Sequence, residues 1–430
     1  MPEVGHPQNL HVAPVLHTLR NGLRLVLLPM PWRSTASLSV YVRAGSLHEP
    51  ARLSGISHVV EHMAFKGTAT RNCQRINLDA EQLGAEVNAH TDKDHTAFHI
   101  EGLARDVPAF VAQLADIVQH SRFPARELVR EQAVILQEFA EVEEDPTAIV
   151  FQLIDSASYG RHAAARPVIG RRASVKALRR QDLMQYVQAH YTGHNLVVAA
   201  AGPIQPASLL AAVRAGFGAL APGQANCVPT PPWRGGLRVR HLHGSAQCHV
   251  AIAFEAPALA DASHTAWVLA AAVLGEGMSS PLMDRVRERL GLAYHAGCAA
   301  DILPHAGQFV IEAATAPTQA AALLAEISRL LAQHARRIDD AALARARHQI
   351  EVRMLRALEH PARGLESAAQ DLFTFGRLRD PRQTLQQLQA LDGEAVRAVF
   401  KRMCGQRAAV ALVGNVPAAV CDGTTALFGV

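Results

Sequence analysis

The sequence predicts an α/β (α+β) fold of two homologous domains, each a mainly antiparallel β-sheet packed with α-helices. Three observations predict it. The chain has 430 residues, long for one domain and suited to two of roughly 200 residues each. Strand-like and helix-like hydrophobic patterns follow one another along the first half. Past a connector rich in proline, the same succession returns in degenerate form.

In the first half, Asn21-Gly22 reads as a turn and Leu23 to Leu28 as the strand after it. Ser37 to Val42 alternates apolar and polar residues and reads as a second strand. A loop bracketed by Gly45 and Pro50 leads to a helix that Ser54 would cap and Gly67 would stop. Leu83 to Thr91 and His95 to Leu103 alternate on either side of the charged turn Asp92-Lys93-Asp94, the pattern of a hairpin. His90, His95 and His99 are read as surface residues of that alternation. Pro124 to Asp145 is a long helical pattern, with Leu128, Ala133, Val134, Leu136 and Phe139 among acids and arginines. Pro124 suits its first turn and Pro146 bars its continuation.

The chemistry concentrates on the first of these helices. Ser57-His58-Val59-Val60-Glu61-His62 contains the order His-x-x-Glu-His. Spacings of three and four place His58, Glu61 and His62 on one helical face. Two imidazoles on one face are suited to a single zinc ion, with a carboxylate beside them for proton transfer. This is the inverted form of the zinc-protease motif. On the long helix, Glu131 and Glu138 lie seven residues apart and share a face, which on spacing alone is also the mark of a solvated acidic surface.

Pro222, Pro229, Pro231 and Pro232, with Gly235 and Gly236, mark an exposed connector. The expected division is therefore residues 1–221, a linker at 222–236, and 237–430. His249 to Phe254 corresponds to the strand at Ser37 to Val42. Trp267 to Gly275 corresponds to the His58 helix, with Trp267, Ala270 and Ala271 standing in for the two histidines and the glutamate. Leu343 to Pro361 matches Leu128 to Pro146, with Arg353 at the position of Glu138 and Ala346 at that of Glu131. A helix lacking both histidines of the motif offers no such zinc site. One zinc per chain, in the first half, is the expectation.

Composition excludes little but is consistent. Apolar residues make up 49% of the chain and the formal charge is +4, which suggests neither a nucleic-acid nor a membrane partner. The cysteines at 73, 227, 248, 298, 404 and 421 show no C-x-x-C spacing, so free thiols are expected. Met1 to Pro14 shows neither a basic nor an apolar segment of a signal peptide, and a cytoplasmic location is the expectation.

With the inverted motif, Glu138 at 76 residues past His62 and Glu131 seven before it, the chain resembles the pitrilysin and mitochondrial-processing-peptidase family of zinc peptidases. Ala165 to Gly170 and His190 to Leu196 resemble two further stretches of that family, in the same order. The resemblance implies that His58, His62 and Glu138 bind Zn²⁺ and that Glu61 is the general base. Glu131 would be a carboxylate supporting the metal site. It implies that Arg287 and Tyr294, seven apart in the second half, donate to the substrate carbonyl or oxyanion; spacing alone reads them as a basic helix ending at Gly291 and a packed tyrosine. Pro281 and Leu290 depart from the family pattern and put substrate preference in doubt. The strand around Asn88, Ala89 and Thr91 would accept the substrate as an added strand. The activity implied is endopeptidase hydrolysis of oligopeptides or unfolded segments by a dimer. The alternatives are a catalytic subunit that needs a homologous partner, a protease dedicated to maturing one peptide, and a non-catalytic scaffold. Intact Arg287 and Tyr294 argue against the first, and intact His58, Glu61, His62 and Glu138 against the last.

Overall fold

A computed structural model describes residues 13–430. The reading of Met1 to Pro14 as free of a signal falls largely outside these residues. The described residues form two compact units, one of 13–136, 168–227 and 357–378, the other of 137–167, 228–356 and 379–430.

The first unit is built on a six-stranded sheet. Its strands are β1 (Val15–Thr18), β2 (Arg24–Pro29), β3 (Thr35–Val42), β4 (Glu86–Thr91), β5 (Thr96–Leu103) and β6 (Leu196–Gly202), in the order β1-β2-β6-β3-β5-β4. Every pairing is antiparallel except β2 with β6. The Asn21-Gly22 turn closes the β1–β2 hairpin, and Gly22 adopts φ +87° there. β6 is buried along its whole length, so its sequence shows an apolar run instead of alternation.

The second unit carries β7 (Gly236–His241), β8 (Cys248–Ala256), β9 (Ala293–Ile302), β10 (Gly307–Thr315) and β11 (Ala409–Gly414), ordered β7-β11-β8-β10-β9. Here too one pair, β7 with β11, is parallel and the rest are antiparallel. Strand for strand, this is the first sheet without β1. Residues 221–235, which precede it, have no regular secondary structure.

The helices that matter for the site are α1 (Ile56–Ala64), α2 (Val107–His120), α3 (Ala125–Glu144), α4 (Pro146–Tyr159), α5 (His264–Gly275), α6 (Asp340–Glu359) and α7 (Pro361–Phe375). α5 repeats α1, α6 repeats α3 and α7 repeats α4, but the last pair is exchanged. α7 lays Leu365, Ala368, Ala369, Leu372 and Phe373 on Val26, Tyr41, Ala97 and Ala199 of the first sheet. α4 lays Ile149, Val150, Ile154 and Ala157 on Ala251, Ala253, Ala411 and Val413 of the second.

Candidate metal centre

α1 starts from a turn that differs from the one its sequence suggests. Ser54 does not cap it; its Oγ is buried and has no hydrogen-bond partner. Gly55 holds the capping position at φ +97°. The open amides are taken by the buried carboxylate of Glu49, whose oxygens accept from Gly55 N–H at 2.7 Å and Ser57 N–H at 2.9 Å. A carboxylate is favoured there by the helix dipole. The helix ends at Ala64, three residues before Gly67.

Ile56, Val59, Val60 and Met63 face the core, and Ser57 Oγ meets Tyr186 Oη at 2.8 Å. That leaves His58, Glu61 and His62 together on the opposite, half-buried face. The Nε2 atoms of His58 and His62 stand 3.2 Å apart, with the rings edge to face. Burial, reinforced by the neighbouring His62, pushes the His58 imidazole down to about 4, so it is neutral at physiological pH as a ligand must be.

α3 supplies the carboxylates. Leu128, Glu131, Ile135 and Phe139 form its buried stripe, while Val134, one of the apolar residues of the helical pattern, is 42% exposed. Glu131 accepts a hydrogen bond from His62 Nδ1 at 3.2 Å and pairs with Lys66 Nζ at 2.8 Å. That bond puts the His62 proton on Nδ1 and frees Nε2 to bind an ion, the usual carboxylate–histidine arrangement of zinc sites. Two turns along the same helix, Glu138 brings a carboxylate oxygen within 4.8 Å of the ligand atoms of His58 and His62. Two imidazoles and a carboxylate are a donor set suited to Zn²⁺, and tetrahedral coordination places ligand atoms about 3.3 Å apart, close to the His58–His62 separation.

Glu61, on the same face, also reaches β4. Its Oε2 accepts a hydrogen bond from Thr91 Oγ1, 3.0 Å away on β4. Among the described residues, β4 pairs only with β5 and leaves its other edge open, with Asn88 exposed and Ala89 half-buried. Sequence reasoning named Thr91 only for its strand, and it missed Glu49 and Lys66. Lys66 lies four residues after His62, a spacing that was available as a signal. Glu49 acts across a loop and left none.

The chain's resemblances to known proteins agree with this geometry. A family model described as insulinase, peptidase family M16, matches residues 24–172, and one described as the M16 inactive domain matches residues 177–350. The chain belongs to peptidase family M16. An uncharacterised zinc protease of Mycobacterium bovis is 31% identical over 94% of this chain and 93% of its own. Another, from Bacillus subtilis, is 28% identical over 93% and 99%. A protease from Helicobacter pylori has a fold of TM-score 0.87 at 21% identity, covering 93% of this chain and 99% of that one. A Pseudomonas fluorescens structure described as a peptidase M16 inactive domain reaches 0.87 at 19%, covering 95% and 99%.

The second unit of this M16 chain carries the degenerate site. Trp267, Ala270 and Ala271 of α5 are buried in its core. Arg353 pairs with Glu276 at 2.8 Å beside a cavity of about 440 Å³. Among the described residues, no ligand trio lies in this unit. Arg287 and Tyr294 also lie here. The Arg287 guanidinium stacks 4.5 Å from the Tyr294 ring centre, and Tyr294 is 79% exposed. The segment carrying Arg287, Asp284–Arg289, is a π-helix ending before Gly291, a widened turn that recurs at functional sites. Among the described residues, no helix is long and apolar enough to cross a membrane, and all six cysteines are free.

Proposed function

We propose that this chain is a zinc-dependent endopeptidase that hydrolyses oligopeptides or unfolded segments, with His58, His62 and Glu138 holding one catalytic Zn²⁺. The observation that carries the reading is the pair of Nε2 atoms 3.2 Å apart, with the Glu138 carboxylate in reach and Glu61 on the same helical face. When bound, zinc supplies Lewis acidity toward a water molecule and the scissile carbonyl. The remaining work belongs to the chain. Glu61 takes the proton of the attacking water and returns it to the leaving amine. Thr91 orients Glu61 through one carboxylate oxygen. Glu131 fixes the His62 tautomer, and Lys66 holds the Glu131 carboxylate in place by an ion pair. The open edge of β4 at Asn88, Ala89 and Thr91 suits an extended peptide added as a strand, which excludes folded proteins. Arg287 and Tyr294, paired and accessible, are assigned as donors to the substrate oxygen. The working form is proposed to be a dimer, of two copies or with a homologous subunit, because a chain of this length holds one metal-bearing half and one inactive half, which the family resemblance implies are paired.

His58→Ala, His62→Ala and Glu138→Ala test the assignment. Each is expected to lose the catalytic zinc and peptide cleavage together, measured by elemental analysis and a fluorogenic peptide assay on folded protein. Full zinc and full cleavage in all three variants would overturn it.

A further inference from the structure

The β4–β5 turn holds a second group of ligating side chains that the peptidase chemistry leaves unused. His95, read from sequence as a surface residue, is 1% exposed. Its Nδ1 meets Asp94 Oδ1 at 2.8 Å, while its Nε2 is buried and has no hydrogen-bond partner. Glu366 Oε1, on α7, stands 3.9 Å from that nitrogen. The His90 ring lies edge to face with His95, centroids 5.5 Å apart. One ligand atom from each of His90, His95 and Glu366 falls within 4.8 Å of the others.

From this geometry we propose that His90, His95 and Glu366 form a second site, for a divalent transition-metal ion of the zinc class. Three features argue for an ion. A buried imidazole nitrogen without a partner is unfavourable, and a metal satisfies it. Asp94 holds the opposite nitrogen of His95, the same carboxylate–histidine arrangement that Glu131 makes with His62. The donors are two nitrogens and one oxygen, which favours Zn²⁺, Co²⁺ or Ni²⁺ over Ca²⁺ or Mg²⁺.

The site is part buried and part open to solvent. The turn is pinned where Leu47 N–H donates to Lys93 C=O at 2.8 Å and Asp92 N–H to His95 C=O at 2.8 Å, so His95 is fixed. His90 is exposed and Glu366 only half-buried, so an ion reaches the site from solvent. Successive strand residues point to opposite faces. Thr91 therefore reaches Glu61 on one face of β4 while His90 reaches this cluster on the other. An ion here fastens the end of β4 to α7. A chain loaded at both sites carries two ions, where the ligands read from sequence give one.

The test uses full-length His58→Ala/His62→Ala protein, in which the catalytic site is disabled, so it stands apart from the proposed function. The protein is stripped with chelator and titrated with Zn²⁺ or Co²⁺ by calorimetry. One equivalent is expected to bind and to raise the melting temperature. Adding His90→Ala or Glu366→Gln, both at accessible positions and both checked for folding by circular dichroism, is expected to weaken binding by roughly tenfold or more. No saturable uptake by the double variant, the outcome if His95 is an imidazolium held between Asp94 and Glu366, would overturn the proposal. Uptake unchanged by both added substitutions would overturn it equally.

Discussion

Glu131 makes no direct claim on the metal, yet it decides how His62 presents itself. Its hydrogen bond to Nδ1 leaves Nε2 as the only ligand atom on that ring. Glu131→Ala is therefore expected to weaken zinc binding about 10- to 100-fold while leaving the fold intact, read by competition with a chromogenic chelator. Unchanged affinity would reduce Glu131 to a packing role. The histidines also set an acid limit on the metal-free protein. Burial, then His190, lowers His48 to about 4, as burial and His62 do for His58, from an ordinary value of 6.5. Between those values the unfolded chain binds more protons than the folded one. Stability from these two groups is thus complete above about pH 6.5 and is lost as pH falls toward 4. His95 works in the opposite sense: burial lowers it, but the hydrogen bond and charge of Asp94 outweigh burial and raise it. The melting temperature of chelator-treated protein is expected to fall from pH 7 to pH 4.5, and a flat or rising curve would contradict the assignment. At this scale the sequence was legible wherever ligand spacing is set by one helix, as for His58, Glu61 and His62. It was illegible where the partner is remote: nothing near His95 announces that Glu366 and α7 cover it.

Among the elements, α1 depends on a backbone turn as much as on its own residues. Gly170 approaches Gly55 so closely that a Cβ there would lie 2.4 Å from Gly55 Cα and 2.4 Å from Ser54 C=O, and Gly170 itself adopts φ +85°. Both contacts are with backbone, so neither yields by a rotamer change. Gly170→Ala is expected to destabilise the protein by at least about 2 kcal/mol and to lower zinc affinity, since the turn sets the start of the His58 helix. Urea unfolding and metal titration of the variant measure this; wild-type values in both would show that the turn has room to shift. The long helix α3 was read to within a residue at both ends because prolines bracket it. The β4–β5 hairpin was read from the three charges that interrupt its alternation, although β4 starts at Glu86, three residues after the Leu83 of the reading. β1 and β6 were not read as strands. β1 is short and half-exposed, and β6 is an apolar run that periodicity alone does not distinguish from a buried helix.

For the whole molecule, the repeat was visible in sequence because the prolines Pro146 and Pro361 stay in register and because Arg353 falls where Glu138 does. The exchange of α4 and α7 was not visible, since each helix is amphipathic on its own and sequence does not say which sheet receives its apolar face. The consequence is one ligand set backed by core from both ends of the chain: α7, encoded after residue 360, covers the sheet whose edge strand carries Thr91. The central claim is that this architecture serves a carboxylate moving a proton beside a zinc ion. It is tested most directly by comparing full-length wild type with Glu61→Gln for zinc content and for steady-state cleavage of a fluorogenic peptide on the same samples. Equal zinc with cleavage lower by about 10²- to 10⁴-fold is the expected result. Cleavage by Glu61→Gln at the wild-type rate would contradict it.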